Sequence, residues 1–231
     1  MPLYNPVEEY LYDTGRWDGK DRIRALADLV PCHNPHWQEL FYRWFLGMVA
    51  HWRGMDRQHG NNTSPLLVGS QGFRKSTFCR ILLPPELRFG YTDSIDFKSR
   101  QEAERSLGRF FLINIDEFDQ INANQQGFLK HLLQKPVANL RKPYGTTIQE
   151  MRRYASFIGT SNLKDLLTDP SGSRRFICIE VTGPIQTNVT INYHQLYAQA
   201  MHDIMKGERY WLDDTDEAIV KEYNREFERV D

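Results

Sequence analysis

The segment Leu66-Leu67-Val68-Gly69-Ser70-Gln71-Gly72-Phe73-Arg74-Lys75-Ser76-Thr77 narrows the choice of fold more than any other stretch of this chain. An apolar strand runs into a glycine turn, and Lys-Ser-Thr opens a helix directly after it. Small residues at such a turn let backbone amides wrap an anion at a helix N-terminus, where the helix dipole favours negative charge. On that reading Gly69 to Thr77 form a phosphate loop, Lys75 reaches the β- and γ-phosphates of a nucleotide, and the Ser76 hydroxyl ligates Mg²⁺. The pattern G-x4-G-K-[ST] has glycine before the lysine, whereas Arg74 stands there in this chain. If position 74 needs a positive φ, arginine costs about 1–2 kcal/mol relative to glycine. The plain alternative is a strand-to-helix turn with a surface lysine.

Such a loop belongs to a parallel sheet, and the sequence beyond residue 60 has the matching pattern. Apolar runs at 66–68, 110–115, 155–159 and 176–181 alternate with amphipathic stretches. This predicts an α/β fold with a mostly parallel sheet flanked by helices. The second run ends in Asp116-Glu117, and strand C-termini of a parallel sheet share one edge, so this pair is expected beside the phosphate loop. Asp116 would hold Mg²⁺, directly or through water, and Glu117 would deprotonate an attacking water. An acidic helix start is the simpler alternative. The third run ends in Thr160-Ser161-Asn162, and Asn162 could hydrogen-bond both the γ-phosphate and that water, or simply cap a helix. Arg174 and Arg175 precede the fourth run. Either suits the charge on a transferring phosphoryl group, and ring assemblies often supply such an arginine finger to the neighbour's site.

The first 60 residues read as a helical N-terminal region, with residues 61–231 forming the α/β part. Asn5-Pro6 and Asn34-Pro35 each pair an N-cap residue with proline at the first helical position. A helix is expected over 19–30, stopped by Pro31, and Trp37, Phe41, Trp44, Phe45 and Met48 give the next helix a broad apolar face. Residues 54–64 read as a polar linker. A hairpin is predicted over 139–153 around Pro143-Tyr144-Gly145, and helices near 193–205 and 214–230. Residues 139–176 hold seven basic and three acidic side chains, while 206–231 hold five basic and nine acidic. Arg141, Lys142 and Tyr144 at the hairpin tip could grip a nucleic-acid single strand by charge and by stacking worth ~1–3 kcal/mol per base. A solvated basic hairpin is the plain reading.

Taken in order, GSQGFRKST, FLINIDEF, RKPYGTT, SFIGTSN and GSRRF resemble the virulence-associated E family. Its members are P-loop ATPases of phages, plasmids and integrated elements, related to superfamily 3 helicases and to the helicase parts of phage primase-helicases. The resemblance runs from about Pro35 to the C-terminus. It implies an AAA+-like P-loop NTPase core, ATP with Mg²⁺, a homo-oligomeric and often hexameric ring, and translocation along single-stranded DNA, with a primase as a partner. It carries Lys75 and Ser76 as phosphate and metal groups, Asp116 and Glu117 as the acidic pair, Asn162 as sensor, and Arg174 or Arg175 as finger. Arg141, Lys142 and Tyr144 match the DNA-contacting hairpin of superfamily 3 helicases. A nucleotide-dependent switch that does not move DNA is the second reading. A small-molecule kinase is the third, disfavoured because the acidic pair, Asn162 and the arginines suit water as acceptor.

Composition removes other classes. Twenty-nine basic against thirty acidic residues exclude a polybasic protein, and 40% hydrophobic residues exclude wholesale disorder. Cys32, Cys79 and Cys178 form no C-x-x-C pair, which suits a reducing cytoplasm. The first ten residues carry Glu8 and Glu9 and no apolar leader, and the 13-residue stretch Leu40 to Trp52 is too short to span a bilayer. Cys32, His33 and His36, with His51 or His59, invite a metal reading, but Pro31 and Pro35 interrupt them, so capping or solvated histidines are expected.

Overall fold

In the computed structural model, residues 5–55, 58–141, 144–169 and 174–230 are described. Ser64–Val68 (β1) is buried along its whole length, the signature of a strand with parallel neighbours and both faces covered. Ser156–Ser161 (β6) pairs with it on one side and Phe176–Glu180 (β7) on the other. Leu112–Ile115 (β3) pairs with β6, and the short Tyr91–Thr92 (β2) closes that edge. All four pairings are parallel, giving the order β2-β3-β6-β1-β7. β6 therefore sits between the strand leading into the glycine turn and the strand ending in Asp116.

Helices cover both faces. One core joins β1, β6 and β7 to Pro6–Asp13 (α1), Arg22–Ala27 (α2), Trp37–Arg53 (α3), Lys75–Ile81 (α4) and Tyr193–Lys206 (α7). A second core sets Arg100–Arg109 (α5) and Ala123–Gln134 (α6) against the opposite face. Val137–Arg141 (β4) and Ile148–Arg152 (β5) pair antiparallel as a separate hairpin, two residues from the expected start. Among the described residues no helix is long and apolar enough to cross a membrane, and no group of three or more His, Cys, Asp or Glu is placed to hold a metal.

Local chemistry explains the helix ends. Asn5 accepts from the Glu8 amide, as its pairing with Pro6 predicts. Asn34 does not cap α3: its Oδ1 accepts the His36 amide in a turn, so α3 starts at Trp37, two residues later than its Asn-Pro signal suggests. The helix expected over 19–30 is confined to six residues capped by Asp21. The last helix, Asp214–Asn224 (α8), gives way to a tighter turn at Arg225–Phe227 that delivers Phe227 to the second core.

The 54–64 stretch is more than a linker. Asn61 is buried, and its amide nitrogen donates to the Trp44 carbonyl and to Ser156 Oγ, tying α3 to β6. His51 Nε2 accepts the Asn61 backbone amide at 2.8 Å, and burial holds the imidazole well below its ordinary pKa and so neutral. Beside it Arg153 is 1% exposed and donates to four carbonyls: Ala155 at 2.8 Å, Leu133 at 2.9 Å, Lys135 at 2.8 Å and Asn61 at 2.9 Å. Burial pulls this guanidinium down to about 9, which leaves it charged at neutral pH. Arg153→Met leaves four inward carbonyls without this donor and should destabilise the fold by about 3–5 kcal/mol, read from urea unfolding. A loss under about 1 kcal/mol would show that other groups hold these segments.

Candidate functional site

Three neighbouring strands end at one edge of the sheet, and each carries polar residues just beyond its last apolar position. From β1 the chain enters the glycine turn. A side chain at Gly69 would press on the Val181 carbonyl at 2.9 Å, so this position needs glycine for close approach, and Gly72 adopts φ 87°. Arg74 takes φ 62° and ψ 30° immediately before α4, the left-handed conformation that a glycine-lysine step would occupy without strain. From β3 the chain reaches Asp116 and then Glu117, also left-handed at φ 53°. From β6 it reaches Thr160, Ser161 and Asn162.

These ends enclose a cavity of about 290 Å³ lined by Gln71, Gly72, Arg74, Lys75, Ser76, Thr77, Asp116, Glu117, Thr160 and Asn162. Of the predicted loop residues, Gly69, Ser70 and Phe73 stand outside this lining. Gly69 and Ser70 turn their carbonyls onto Lys75, while Phe73 packs against the first core. Lys75 is 7% exposed, and its Nζ donates to Gly69 O at 2.7 Å, Ser70 O at 2.9 Å and Asn162 Oδ1 at 3.1 Å. All three acceptors are neutral, and burial lowers the lysine pKa against the opposing pull of Asp116 and Asp119. The site thus presents a cation whose hydrogen-bond partners carry no charge.

Opposite it, Ser76 Oγ donates to Asp116 Oδ1 at 2.6 Å. Thr160, which sequence reasoning passed over, donates to the same oxygen at 2.7 Å and accepts the Glu117 amide at 3.3 Å. Asp119, also missed, accepts from Ser161 Oγ at 3.0 Å and from the Asn162 amide at 3.2 Å. Burial raises its pKa, but hydrogen bonds from Gln120, Ser161 and the Asn162 amide outweigh that and hold the carboxylate below its usual range. Thr160 had a signal in its polar triplet. Asp119 had none, because its role depends on the turn at Phe118–Gln120 folding back onto β6.

Both arginines lie at the other edge. The pairing of Ser64 with Phe176 and of Val68 with Glu180 puts Arg175 at the start of β7, a strand length of roughly 13 Å from the edge where β1 enters its loop. Arg174 keeps 42% of its side chain exposed and lies 3.4 Å from Glu217, whereas Arg175 is 9% exposed. At the hairpin, Arg141 and Ile148 are exposed and Tyr144 is fully so, with φ 64°. Lys142 lies outside the described residues.

The sequence matches the family described as virulence-associated protein E-like domain over residues 11–229. No curated protein matches it. Among solved structures, it is similar to the apo C-terminal region of NrS-1 (residues 305–718), with TM-score 0.54 and 16% identity over 91% of this chain and 50% of that one. An A form of that region gives TM-score 0.52, again at 16% identity, over 91% of this chain and 50% of that one. The chain spans about half the length of these structures, and at such identity the likeness concerns the fold alone.

The backbone at position 74 yields a test that does not depend on any ligand. Arg74→Gly should stabilise the protein by about 1 kcal/mol, measured by urea unfolding, because a left-handed residue is relieved. Unchanged or lower stability would mean that the arginine side chain makes compensating contacts.

Proposed function

The chain belongs to the virulence-associated protein E-like domain family, and on that premise we propose that it is a P-loop ATPase of AAA+-like design that acts on single-stranded DNA during replication of a mobile element. The observation that carries this reading is the convergence of Lys75, Ser76, Asp116, Glu117 and Asn162 on one cavity at the C-terminal edge of a parallel sheet. A buried lysine with only neutral acceptors fits an anion, and the polyphosphate of ATP supplies one. Ser76 Oγ and Asp116 Oδ1, 2.6 Å apart, are the hard oxygen donors that Mg²⁺ takes. When bound, the ion would neutralise developing charge on the transferred phosphoryl group.

The remaining roles follow from this chain's own residues. The loop amides and Lys75 bind and orient the phosphates. Thr160 fixes the Asp116 carboxylate, and its hydroxyl also receives the Glu117 amide, so the acidic pair is set by one side chain of the intervening strand. Glu117, exposed at the cavity wall, takes the proton of the attacking water. Asn162 keeps its amide NH₂ for a phosphate oxygen or that water while its carbonyl oxygen contacts Lys75. Neither arginine reaches this cavity in its own chain, so an arginine from a second copy completes it, and Arg174 is the more accessible. The reading therefore includes a homo-oligomer, with a primase as a further partner. Tyr144 at the hairpin tip offers a stacking face, with Arg141 for the phosphate backbone.

Glu117→Gln should keep ATP binding and lose at least about 100-fold in turnover, and wild-type turnover would exclude it as the base. Hydrolysis by the unaltered chain should rise more than linearly with protein concentration. In a separate test, Arg141→Ala with Tyr144→Ala should weaken single-stranded DNA binding at low salt by roughly tenfold or more. Equal affinity removes the hairpin from the DNA path.

A further inference from the structure

A second cavity, of about 330 Å³, opens at the opposite edge of the sheet from Lys75, among four segments of chain. The stretch before β1 contributes His59 and Asn62, the end of α6 contributes Gln134, the connection between α7 and α8 contributes Trp211, and the start of β7 contributes Arg175. Arg175 is 9% exposed, yet no hydrogen bond or ion pair engages it among the described residues. Among the described residues no carboxylate lines the cavity. A buried guanidinium without an acceptor is unfavourable, and the fork of donors that arginine presents matches phosphate geometry.

The walls are held in place before any ligand arrives. Arg153 bonds Asn61, Leu133 and Lys135, the residues that flank Asn62 and Gln134 in the chain. His59 stacks on Trp211 with ring centroids 3.7 Å apart and planes 5° from parallel, fixing a third wall. Among the described residues the lining thus combines one unpaired cation, the three carboxamides of Gln58, Asn62 and Gln134, and an imidazole, a donor set richer than a carboxylate needs and suited to the several oxygens of a phosphate. Burial, together with Arg174, pulls the Arg175 pKa down, the direction expected of a cation lacking its counter-charge.

We propose that the Arg175 cavity is a second phosphate-binding site, separate from the Lys75 cavity, which takes a phosphate group either free or carried on a small nucleotide. It does not depend on the ATPase reading, since it uses none of the residues at the Lys75 edge.

The test uses the full chain carrying Lys75→Ala, which disables the first cavity, titrated calorimetrically with inorganic phosphate and, separately, with adenosine monophosphate. The Lys75→Ala chain should still bind phosphate, and adding Arg175→Gln should weaken binding at least tenfold. Gln134→Glu provides a second route if Arg175→Gln fails to fold: its carboxylate competes for Arg175 and should weaken phosphate binding to a similar degree. Tighter binding of the monophosphate than of inorganic phosphate identifies a nucleotide as occupant, and equal binding identifies the free ion. Binding that disappears with Lys75→Ala alone overturns the second site while leaving the Lys75 reading intact. Binding unaffected by both Arg175→Gln and Gln134→Glu also overturns it.

Discussion

Four carbonyls from three parts of the chain meet on the guanidinium of Arg153, and the placement of the sheet depends on that meeting. An uncompensated buried charge costs several kcal/mol, so the side chain is tolerated only while these carbonyls receive it. Its acceptors lie just before β1, at the end of α6 and at the start of β6. β1 and β6 are hydrogen-bonded neighbours, so fixing their starts also fixes how far each runs before its polar end. Asn61 extends the same knot to α3 through Trp44 and to β6 through Ser156. The helical start and the sheet therefore share one core, and the loop and Asn162 emerge side by side as a consequence.

Strain collects at the edge those strands deliver. Arg74 and Glu117 both adopt left-handed backbone, a conformation that costs non-glycine residues about 1–3 kcal/mol each. Surrounding bonds hold them there: the Arg74 carbonyl accepts the Phe78 amide, the Glu117 carbonyl accepts the Gln120 amide, and Thr160 receives the Glu117 amide. Such a site is formed before a ligand arrives, which on the proposed reading serves the orientation of phosphates and water. Keeping arginine at position 74 retains the turn geometry while adding a side chain that lines the cavity.

The strands were legible because each is a short apolar run ending in polar residues, and the parallel arrangement made their C-terminal ends a shared edge. The charge count was less informative. It finds an excess of basic residues over 139–176, yet Arg153 is buried on carbonyls, Arg152 pairs with Glu8 at 2.9 Å and Lys164 with Glu180 at 2.7 Å. No local pattern announces these fates, because every partner except the Ala155 carbonyl lies well away in sequence. The same applies to Asp119, which meets β6 only through a turn, and to Arg175, whose cavity is assembled from four segments. Asn34 misled for the opposite reason: its signal was local and correct as a turn, but the turn precedes the helix instead of capping it.

The two edges of the sheet together constrain how copies of the chain can associate. The Lys75 cavity lies at the C-terminal ends of the strands and Arg174 at the N-terminal end of β7, so one chain cannot bring them together. On the proposed reading the arginine edge of one copy must face the cavity edge of the next. That contact joins two different surfaces, and a heterologous contact repeats until rotation closes it into a ring or, failing closure, extends as a filament. A two-fold dimer would complete the site only through one self-complementary patch that spans both edges, with Arg174 of each copy meeting the cavity of the other. On the proposed reading, the direction of the parallel sheet thus separates the arginine from the cavity it serves by a strand length, so that only a second copy can complete the site.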